Sequence, residues 1–470
     1  MPQSVLAKKS IIVIFAYSPT GLGHLRVSDA LYNGLPKSIT PLLLGAQDKS
    51  LSNLYRFISI HPITRGIMEF FQKGEAEALF SSVYRWTLRK NHRLLYQQTL
   101  TILEERLDLP DTVLIIATHF GLAHQFASIK EKIEKVTKVR FILIVQVTDD
   151  SPQQMWYIEG ADAIFVPSEQ TKKEFLSYGK KSNLSPVPFY VTPYPISPLL
   201  KENLSPSRLE SRKIQVSRDS DSSIHIAVPI SGAAVYTEFY TALIAKLSEG
   251  ARTFVFHIVA KNAPYNKSFL SQLLPLQHCK LYVSEHDRGV VNLYRTLYQK
   301  ETISFDITKP SEQAFKALFE PTETGGSILL FLEPVGRQES DNIDFLRRHH
   351  LIPDLSEKKL LDKFCRTEIN LSESEEGKNL LHNAHAWRGI ELPNEPSKAS
   401  AMIQYCLNNR IFERMFSYTG RSPYAKSHEI EVRSDGVELF WKKVEELIVS
   451  KKISEKVVGH NSSPNVFSER

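Results

Sequence analysis

Apolar runs alternate with amphipathic stretches along the first 180 residues. The runs "IIVIFAY", "PLLLG", "DTVLIIA", "VRFILIVQV" and "DAIFV" predict buried strands, and the stretches between most of them show helical periodicity. Nearly continuous apolar strands separated by helices are typical of a parallel sheet covered on both faces. The pattern therefore predicts an α/β domain over residues 1–200, with its ligands at the carboxyl ends of the strands.

The alternation stops at a segment rich in proline and serine and then starts again. Residues 201–222 lie in this segment and are predicted to be an interdomain linker. The runs "IHIAVP", "RTFVFHIVA", "KLYVS", "ISFDIT" and "SILLFL" predict a second, similar α/β domain over 223–400. A helical extension is predicted over 401–458, and the polar tail 459–470 is predicted to be disordered.

Composition narrows the class of protein. The chain has 470 residues, of which 42% are hydrophobic and 23% charged, and no run reaches the roughly 18–20 apolar residues of a membrane-spanning helix. A net charge of +6 is too small to indicate a nucleic-acid partner. The three cysteines are odd in number and far apart, so they predict neither a disulfide framework nor a metal site, and they favour a reducing cytoplasm.

The stretch at 55–97 is richer in basic and aromatic residues than the rest of the chain. Basic side chains interleaved with aromatic rings can bind the anionic headgroups of a lipid surface. The same pattern also fits an amphipathic helical pair whose rings are in the core and whose bases are solvated. Both interpretations remain open at this point.

Three loops after predicted strands of the first domain carry candidate chemistry. "PTGLGH" places Gly23 and His24 where a strand passes into a helix, so the backbone could approach a ligand and the imidazole could act as a base. His119 ends the next strand, and "VQVTDD" ends another in Asp149. Each residue could instead cap a turn. His124 is predicted to be an ordinary helix residue.

The second domain offers a matching set of polar loops. Small residues, including Ser231 and Gly232, lie between a strand and a helix in "PISGAA". Lys309 and Ser311 follow another strand, where a lysine and backbone N–H groups could hold a diphosphate. A third loop, "EPVGRQESDN", carries amide and carboxylate side chains suited to sugar hydroxyls, namely Gln338, Glu339 and Asn342.

Together these motifs resemble the GT-B glycosyltransferases, in particular the diacylglycerol glycosyltransferases (monogalactosyldiacylglycerol synthase-like) and the lipid-linked muramyl N-acetylglucosaminyltransferase. "SPTGLGHLRVSDAL" resembles the opening G-x-G-H-x-x-A-x-x-A-L, and "DTVLIIATHF" resembles D-V-I-V-S-T-H-P with Phe120 in place of proline. The most specific match is "VQVTDDSPQQMWYIEGADAIFVPSEQTKKEF". In the second half, "ITKPSEQAFKAL" resembles I-T-K-P-G-G-x-T-x-x-E-A-L, but Ser311 and Glu312 replace the two glycines.

The resemblance implies an α/β fold of two Rossmann-like domains facing each other across a cleft, with a helical C-terminal extension. It implies transfer of a sugar from a nucleotide-diphosphate donor, of UDP type, to a hydroxyl of a lipid or membrane-associated acceptor. The implied reaction is inverting and needs no metal or resident cofactor. The chain would be cytoplasmic, peripheral on the inner face of the membrane through residues 55–97, with no nucleic-acid partner.

The resemblance also assigns roles to residues of this sequence. His24 or Asp149 would be the catalytic base, while Gly23, His119 and Phe120 would bind the acceptor. The donor would be bound by residues of the second domain: Ser231, Gly232, Lys309, Ser311, Glu312, Gln338, Glu339 and Asn342.

Two alternatives remain open on the sequence alone. The replaced glycines favour a non-catalytic or altered GT-B protein that binds a sugar or lipid. The other alternative is a nucleotide-sugar 2-epimerase. That reaction needs further acids and a histidine in the second domain, where His257 and His278 do not lie in obvious strand-end loops.

Overall fold

The computed structural model describes residues 4–8, 10–17, 22–45, 92–106, 108–232, 234–417 and 430–460, with side chains described up to 450. Most of the stretch at 55–97, for which a lipid-surface contact is predicted, lies outside these residues, as does the tail from 461, which is predicted to be disordered.

The first domain is built on a six-stranded parallel sheet. Its strand order is β2-β1-β3-β4-β5-β6, and every neighbouring pair is parallel. The strands are β1 (Ile11–Tyr17), β2 (Leu42–Gly45), β3 (Thr112–Ala117), β4 (Arg140–Gln146), β5 (Ala163–Val166) and β6 (Phe189–Val191). The described helices of this half are α1 (Leu22–Asn33), α2 (Arg93–Glu104), α3 (Phe120–Thr137) and α4 (Glu169–Lys181).

The second domain repeats the architecture. Its six parallel strands are ordered β12-β11-β10-β7-β8-β9. The strands are β7 (Ile224–Pro229), β8 (Phe254–Lys261), β9 (Cys279–Ser284), β10 (Phe305–Thr308), β11 (Ile328–Phe331) and β12 (Gly389–Glu391). The helices are α5 (Pro206–Val216), α6 (Thr237–Ser248), α7 (Lys267–Leu273), α8 (Asp287–Lys300), α9 (Arg337–Arg348), α10 (Leu355–Thr367), α11 (Glu375–Asn383), α12 (Pro396–Asn408), α13 (Ile411–Ser417) and α14 (Gly436–His460).

The predicted α/β class with two Rossmann-like domains is therefore confirmed. The apolar runs form buried strands because both faces of each sheet are covered by helices, as the uniform burial of β3 illustrates. Two short strands, β6 and β12, were not predicted. Each has three residues, which is too short for a periodic signal.

Each sheet contains a point at which the strand order reverses. In the first sheet β2 and β3 lie on opposite sides of β1, and in the second β8 and β10 lie on opposite sides of β7. At such a point the connections leave in opposite directions, which opens a crevice at the carboxyl ends of the two central strands. Every candidate loop named above follows a strand at or beside one of these points.

The segment predicted as a linker contains helix α5, which is attached to the second domain. Ser205 caps the helix by accepting a hydrogen bond from the Arg208 amide at 3.4 Å, and proline occupies its first turn. The fully buried Arg212 donates to the carbonyl oxygens of Pro321, Glu323 and Thr324 at 2.8–2.9 Å. An arginine is normally expected to be solvent-exposed, so the sequence gives no indication that Arg212 is buried against the second domain.

The C-terminal helices divide between the two domains. Residues of α12 and α13 belong to the core of the second domain. Helix α14 instead returns to the first domain, where the Trp441 indole Nε1 donates to the Leu31 carbonyl at 2.9 Å and Phe440 packs against Phe165. The chain therefore crosses between the domains a second time.

Candidate active site

The structure brings His24 and His119 together at the carboxyl ends of β1 and β3. His24 lies in the first turn of α1, and His119 is the N-cap of α3, where its ring accepts from the Leu122 amide at 3.5 Å. The two rings are 5.2 Å apart and nearly perpendicular. Phe120 stacks on His119 at 4.8 Å, so the three residues form one wall of the crevice between the domains.

Burial keeps both imidazoles neutral. It lowers the pKa of His24 to about 4, although a hydrogen bond with the Thr118 backbone and the charge of Glu312 oppose this effect. Burial, with the neighbouring His24, also lowers the pKa of His119 well below its ordinary value. A neutral imidazole can accept a proton, so either ring is in a form suited to a base at neutral pH.

Asp149 occupies the same wall, after β4. Its Oδ1 accepts a hydrogen bond from the Asn342 amide of the second domain at 3.2 Å. Burial raises its pKa to about 7. The Asn342 hydrogen bond lowers the pKa and the charges of Glu312 and Glu339 raise it further. The carboxyl group is therefore about half ionised near neutral pH.

The Thr148 hydroxyl connects the two candidate bases. It lies 3.3 Å from Nδ1 of His24 and 3.4 Å from Oδ2 of Asp149. The backbone carbonyl of Thr148 accepts a hydrogen bond from the Tyr194 hydroxyl at 2.9 Å. The Tyr194 ring in turn stacks on Phe315 of the second domain, with the ring centroids 3.7 Å apart. Thr148 cannot be recognised from the sequence, because a threonine after a strand has no distinctive signal.

Asn342 holds the two domains together at this point. Besides binding Asp149, its amide donates to the Pro310 carbonyl at 3.1 Å, and its Oδ1 accepts from the Asp150 amide at 2.9 Å. The Asp150 carboxylate is itself paired with Arg348 at 2.6 Å. Asp150 therefore has a structural role between the domains, whereas Asp149 faces the crevice residues.

The loop after β7 contains two residues with positive φ and a buried serine hydroxyl that has no hydrogen-bond partner among the described residues. Ala234 and Tyr236 have φ values of 52° and 68°, in the left-handed region that favours glycine. Ser231 Oγ is buried and has no hydrogen-bond partner among the described residues, and the N-terminus of α6 lacks a side-chain cap. Strain, an orphan hydroxyl and free helix N–H groups together suit a bound anion, and Gly232 lies between them.

The other predicted donor residues contact protein groups. Lys309 forms an ion pair with Glu339, whose second oxygen accepts from the Val335 amide at 2.8 Å. Gln338 reaches across to the first domain and donates to Gln153 Oε1 at 2.7 Å. Gln338 and Asn342 thus contact the first domain directly, whereas the charge of Lys309 is matched by the Glu339 carboxylate.

Glu312 stands in the motif position at which the sequence resemblance expects glycine. Its carboxylate pairs with Arg26 of α1, and a Cβ atom added at Gly23 would lie 2.9 Å from Glu312 Oε2. Burial alone would raise the pKa of Glu312, but Arg26 and the neighbouring Ser311 hold it below its ordinary value. The absence of a side chain at Gly23 therefore allows the Glu312 carboxylate to approach the backbone of α1 closely. Arg26 was not selected from the sequence, although it lies within the glycine motif.

Lys316 is not available to a ligand. Its ammonium donates to Asp306 at 2.7 Å and to the Tyr294 hydroxyl at 2.6 Å in the interior. Burial lowers its pKa to about 8 while Asp306 opposes that effect. The two histidines weighed for an epimerase lie elsewhere as well. His257 contacts His225 and Tyr282, and His278 contacts Ser248.

No protein-family model matches the chain, and no curated protein does. Solved structures resemble it in overall arrangement. One is a UDP-GlcNAc 2-epimerase from Neisseria meningitidis bound to UDP-GlcNAc, with 12% identity and a TM-score of 0.42 over 93% of this chain and 99% of that one. Two others have 10% identity and a TM-score of 0.45 over the same shares: Anabaena Alr3699/HepE in complex with UDP and glucose, and Acinetobacter baumannii MurG. Similarity at this level carries no argument about activity.

Proposed function

We propose that the protein is an inverting glycosyltransferase that moves a sugar from a nucleotide-diphosphate donor to a hydroxyl of a lipid or membrane-associated acceptor. The observation that carries this proposal is the meeting of residues from the carboxyl-terminal edges of the two sheets. His24 and Asp149 from the first sheet face Glu312 and Asn342 from the second, with a direct hydrogen bond between Asp149 and Asn342. A crevice with a base on one wall and anion-binding groups on the other suits transfer between two substrates.

The proposed step is a single displacement at the anomeric carbon. The acceptor oxygen forms the new bond to that carbon while its proton passes to Asp149 or His24. The bond from the carbon to the diphosphate breaks, and the diphosphate leaves with the electron pair. The N–H groups at the start of α6 and the Ser231 hydroxyl would stabilise the negative charge that develops there.

Of the two bases, Asp149 is favoured by its pKa of about 7. A base is most effective when its pKa lies near the working pH, since it is then both available and strong. His24, with a pKa of about 4, is always available but weaker. We propose that His24 positions the acceptor hydroxyl beside Asp149, with His119 and Phe120 lining the acceptor side.

The finer assignments rest on the sequence resemblance. A UDP-type donor and a lipid acceptor follow from the family motifs, and the membrane contact follows from residues 55–97. Among the described helices, none has both the length and the apolar character needed to cross a bilayer.

A second candidate function is a sugar- or lipid-binding protein without transfer activity. It is favoured by the Arg26–Glu312 and Lys309–Glu339 ion pairs, which engage both cations at the place where a diphosphate would lie. For an enzyme, the donor must displace these carboxylates. For a binding protein, they would remain in place.

The test is incubation of the full chain with UDP-glucose, UDP-galactose, UDP-GlcNAc and GDP-mannose, each with mixed lipid vesicles, followed by mass spectrometry of the lipids. We expect one donor to yield a glycosylated lipid and Asp149→Asn to abolish it. A raised melting temperature with a nucleotide but no product would favour the binding protein. Vesicle co-sedimentation at two salt concentrations tests the membrane contact separately.

A further inference from the structure

A second group of polar residues lies in the second domain, apart from the crevice. His225 is near the start of β7, His257 is in the middle of β8, and Glu301 follows the last residue of α8. One donor atom from each lies within 4.8 Å of those of the other two. His257 Nε2 is 3.1 Å from His225 Nδ1, and His225 Nδ1 is 3.7 Å from Glu301 Oε2. The fold thus unites three potential metal ligands that are 32 to 76 residues apart in the chain.

These spacings match those of a metal's ligands. Nitrogen and oxygen ligands lie about 2.0–2.2 Å from zinc, so neighbouring ligands of a tetrahedral ion are about 3.3 Å apart. The two distances in the cluster, 3.1 Å and 3.7 Å, lie on either side of that value. An ion could therefore be held with small side-chain rotations.

The surroundings of His257 orient it for this role. The Tyr282 hydroxyl lies 3.1 Å from Nδ1 of His257, which leaves Nε2 directed at His225. A ligating histidine almost always has a hydrogen-bond partner on its other nitrogen, which fixes the ring and its tautomer. On metal binding, each ring would hold its proton on the nitrogen that faces away from the ion.

The cluster is reachable from solvent. The His225 and Glu301 side chains are 22% and 30% exposed, whereas His257 is fully buried. Two cations face Glu301. The Arg208 guanidinium donates to the Glu301 backbone carbonyl at 2.5 Å. The other cation is Lys280, whose ammonium lies 3.3 Å from Glu301 Oε1. Its side chain is about half exposed, so it can turn into solvent.

We propose that His225, His257 and Glu301 form a binding site for a divalent transition-metal ion, with zinc as the ion their donors favour. Two imidazoles and a carboxylate are ligands that zinc accepts readily, with a fourth position left for water. The site would tie β7, β8 and the end of α8 together, away from the carboxyl ends of the strands. This proposal is independent of the proposed transferase activity.

The test uses the full chain, stripped with a chelator and titrated with Co²⁺ and then with Zn²⁺. We expect one Co²⁺ per chain with the visible absorption of a tetrahedral site, displaced by Zn²⁺, and a Zn²⁺-dependent rise in melting temperature. His225→Asn and Glu301→Gln, both at partly exposed positions, should weaken binding at least about tenfold. Circular dichroism verifies that they fold.

Two further variants separate this site from adventitious binding. His278→Ala removes a nearby histidine outside the cluster and should leave affinity unchanged. Lys280→Met removes one of the two positive charges beside Glu301 and should tighten binding severalfold. The proposal is overturned if the wild-type chain gives no tetrahedral Co²⁺ spectrum. It is equally overturned if His225→Asn and Glu301→Gln bind the ion as the wild type does, since the ion would then be held elsewhere.

Discussion

The carboxylate of Asp149 accepts a hydrogen bond from the side-chain amide of Asn342, 3.2 Å away in the opposite domain. Asp149 follows a strand of the first sheet, and Asn342 lies in a helix of the second. This contact joins the two domains beside the candidate base. Burial at this point raises the pKa of Asp149 to about 7.

The first prediction concerns the pH dependence of transfer. If Asp149 is the base, its reactive form is the carboxylate, and that form increases as pH rises through about 7. The rate should therefore rise from pH 5.5 and level off above about pH 8. His24 has a pKa of about 4, so it predicts a rate that is flat over the same range. The measurement is single-turnover transfer from pH 5.5 to 9.

Two variants show which residue causes the rise of the rate near pH 7. Asp149→Asn should lower the rate about 10²–10⁴-fold and remove the rise. His24→Ala should lower the rate but keep the rise near pH 7, because Asp149 remains. A rise that survives in Asp149→Asn would exclude Asp149 as the base.

The second prediction concerns the Arg26–Glu312 ion pair. Glu312→Gln removes the carboxylate that holds Arg26, so the guanidinium no longer has to leave a buried partner to meet a diphosphate. Affinity for UDP should rise about tenfold, which is about 1.4 kcal/mol. Isothermal titration calorimetry measures it.

The matched control is Glu169→Gln, which breaks a more exposed pair with Lys172. It should leave UDP affinity unchanged. Equal UDP affinity in wild type and Glu312→Gln would show that Glu312 does not compete with the nucleotide.

The third prediction separates stability from binding. Lys316 is paired with Asp306 in the interior, so Lys316→Met leaves a buried carboxylate without its cation. The free energy of unfolding should fall by about 3–5 kcal/mol. UDP affinity of the folded variant should be unchanged, because the ammonium does not face the crevice.

Urea unfolding and calorimetry of the same sample test this. Lys398→Met, at an exposed lysine, is the control for losing a positive charge. A large loss of UDP affinity in folded Lys316→Met would contradict the structural role.

The fourth prediction concerns the return of the chain to the first domain. Trp441 is buried against Leu31 and Phe15, and its indole N–H is hydrogen-bonded. Trp441→Ala should cost about 3–5 kcal/mol of unfolding free energy. Lys442→Ala, on the exposed side of the same helix, should have little effect. Urea unfolding followed by circular dichroism makes the comparison, and similar losses in both variants would show that α14 is not docked as described.

The sequence was most informative where one physical constraint acts on every residue of a segment. Strands buried on both faces, such as β3, are almost entirely apolar. Each of them can therefore be recognised from its own short stretch of sequence. His24, His119 and Asp149 were found because they lie in the segments that follow such strands. Thr148, Arg26 and Tyr194 were not found, since their roles depend on contacts with residues that are distant along the chain.

The sequence by itself determined the α/β class, the presence of two sheet domains and the strand-end loops that carry polar chemistry. Local periodicity encodes these features, because burial of a strand or helix face constrains every second or every third to fourth residue. Only the tertiary structure decided that Glu312 meets Arg26 beside Gly23, that Lys316 is buried, and that His225 and His257 are neighbours. Such contacts depend on how separate elements pack against each other, and they produce no regular spacing in the sequence from which they could be predicted.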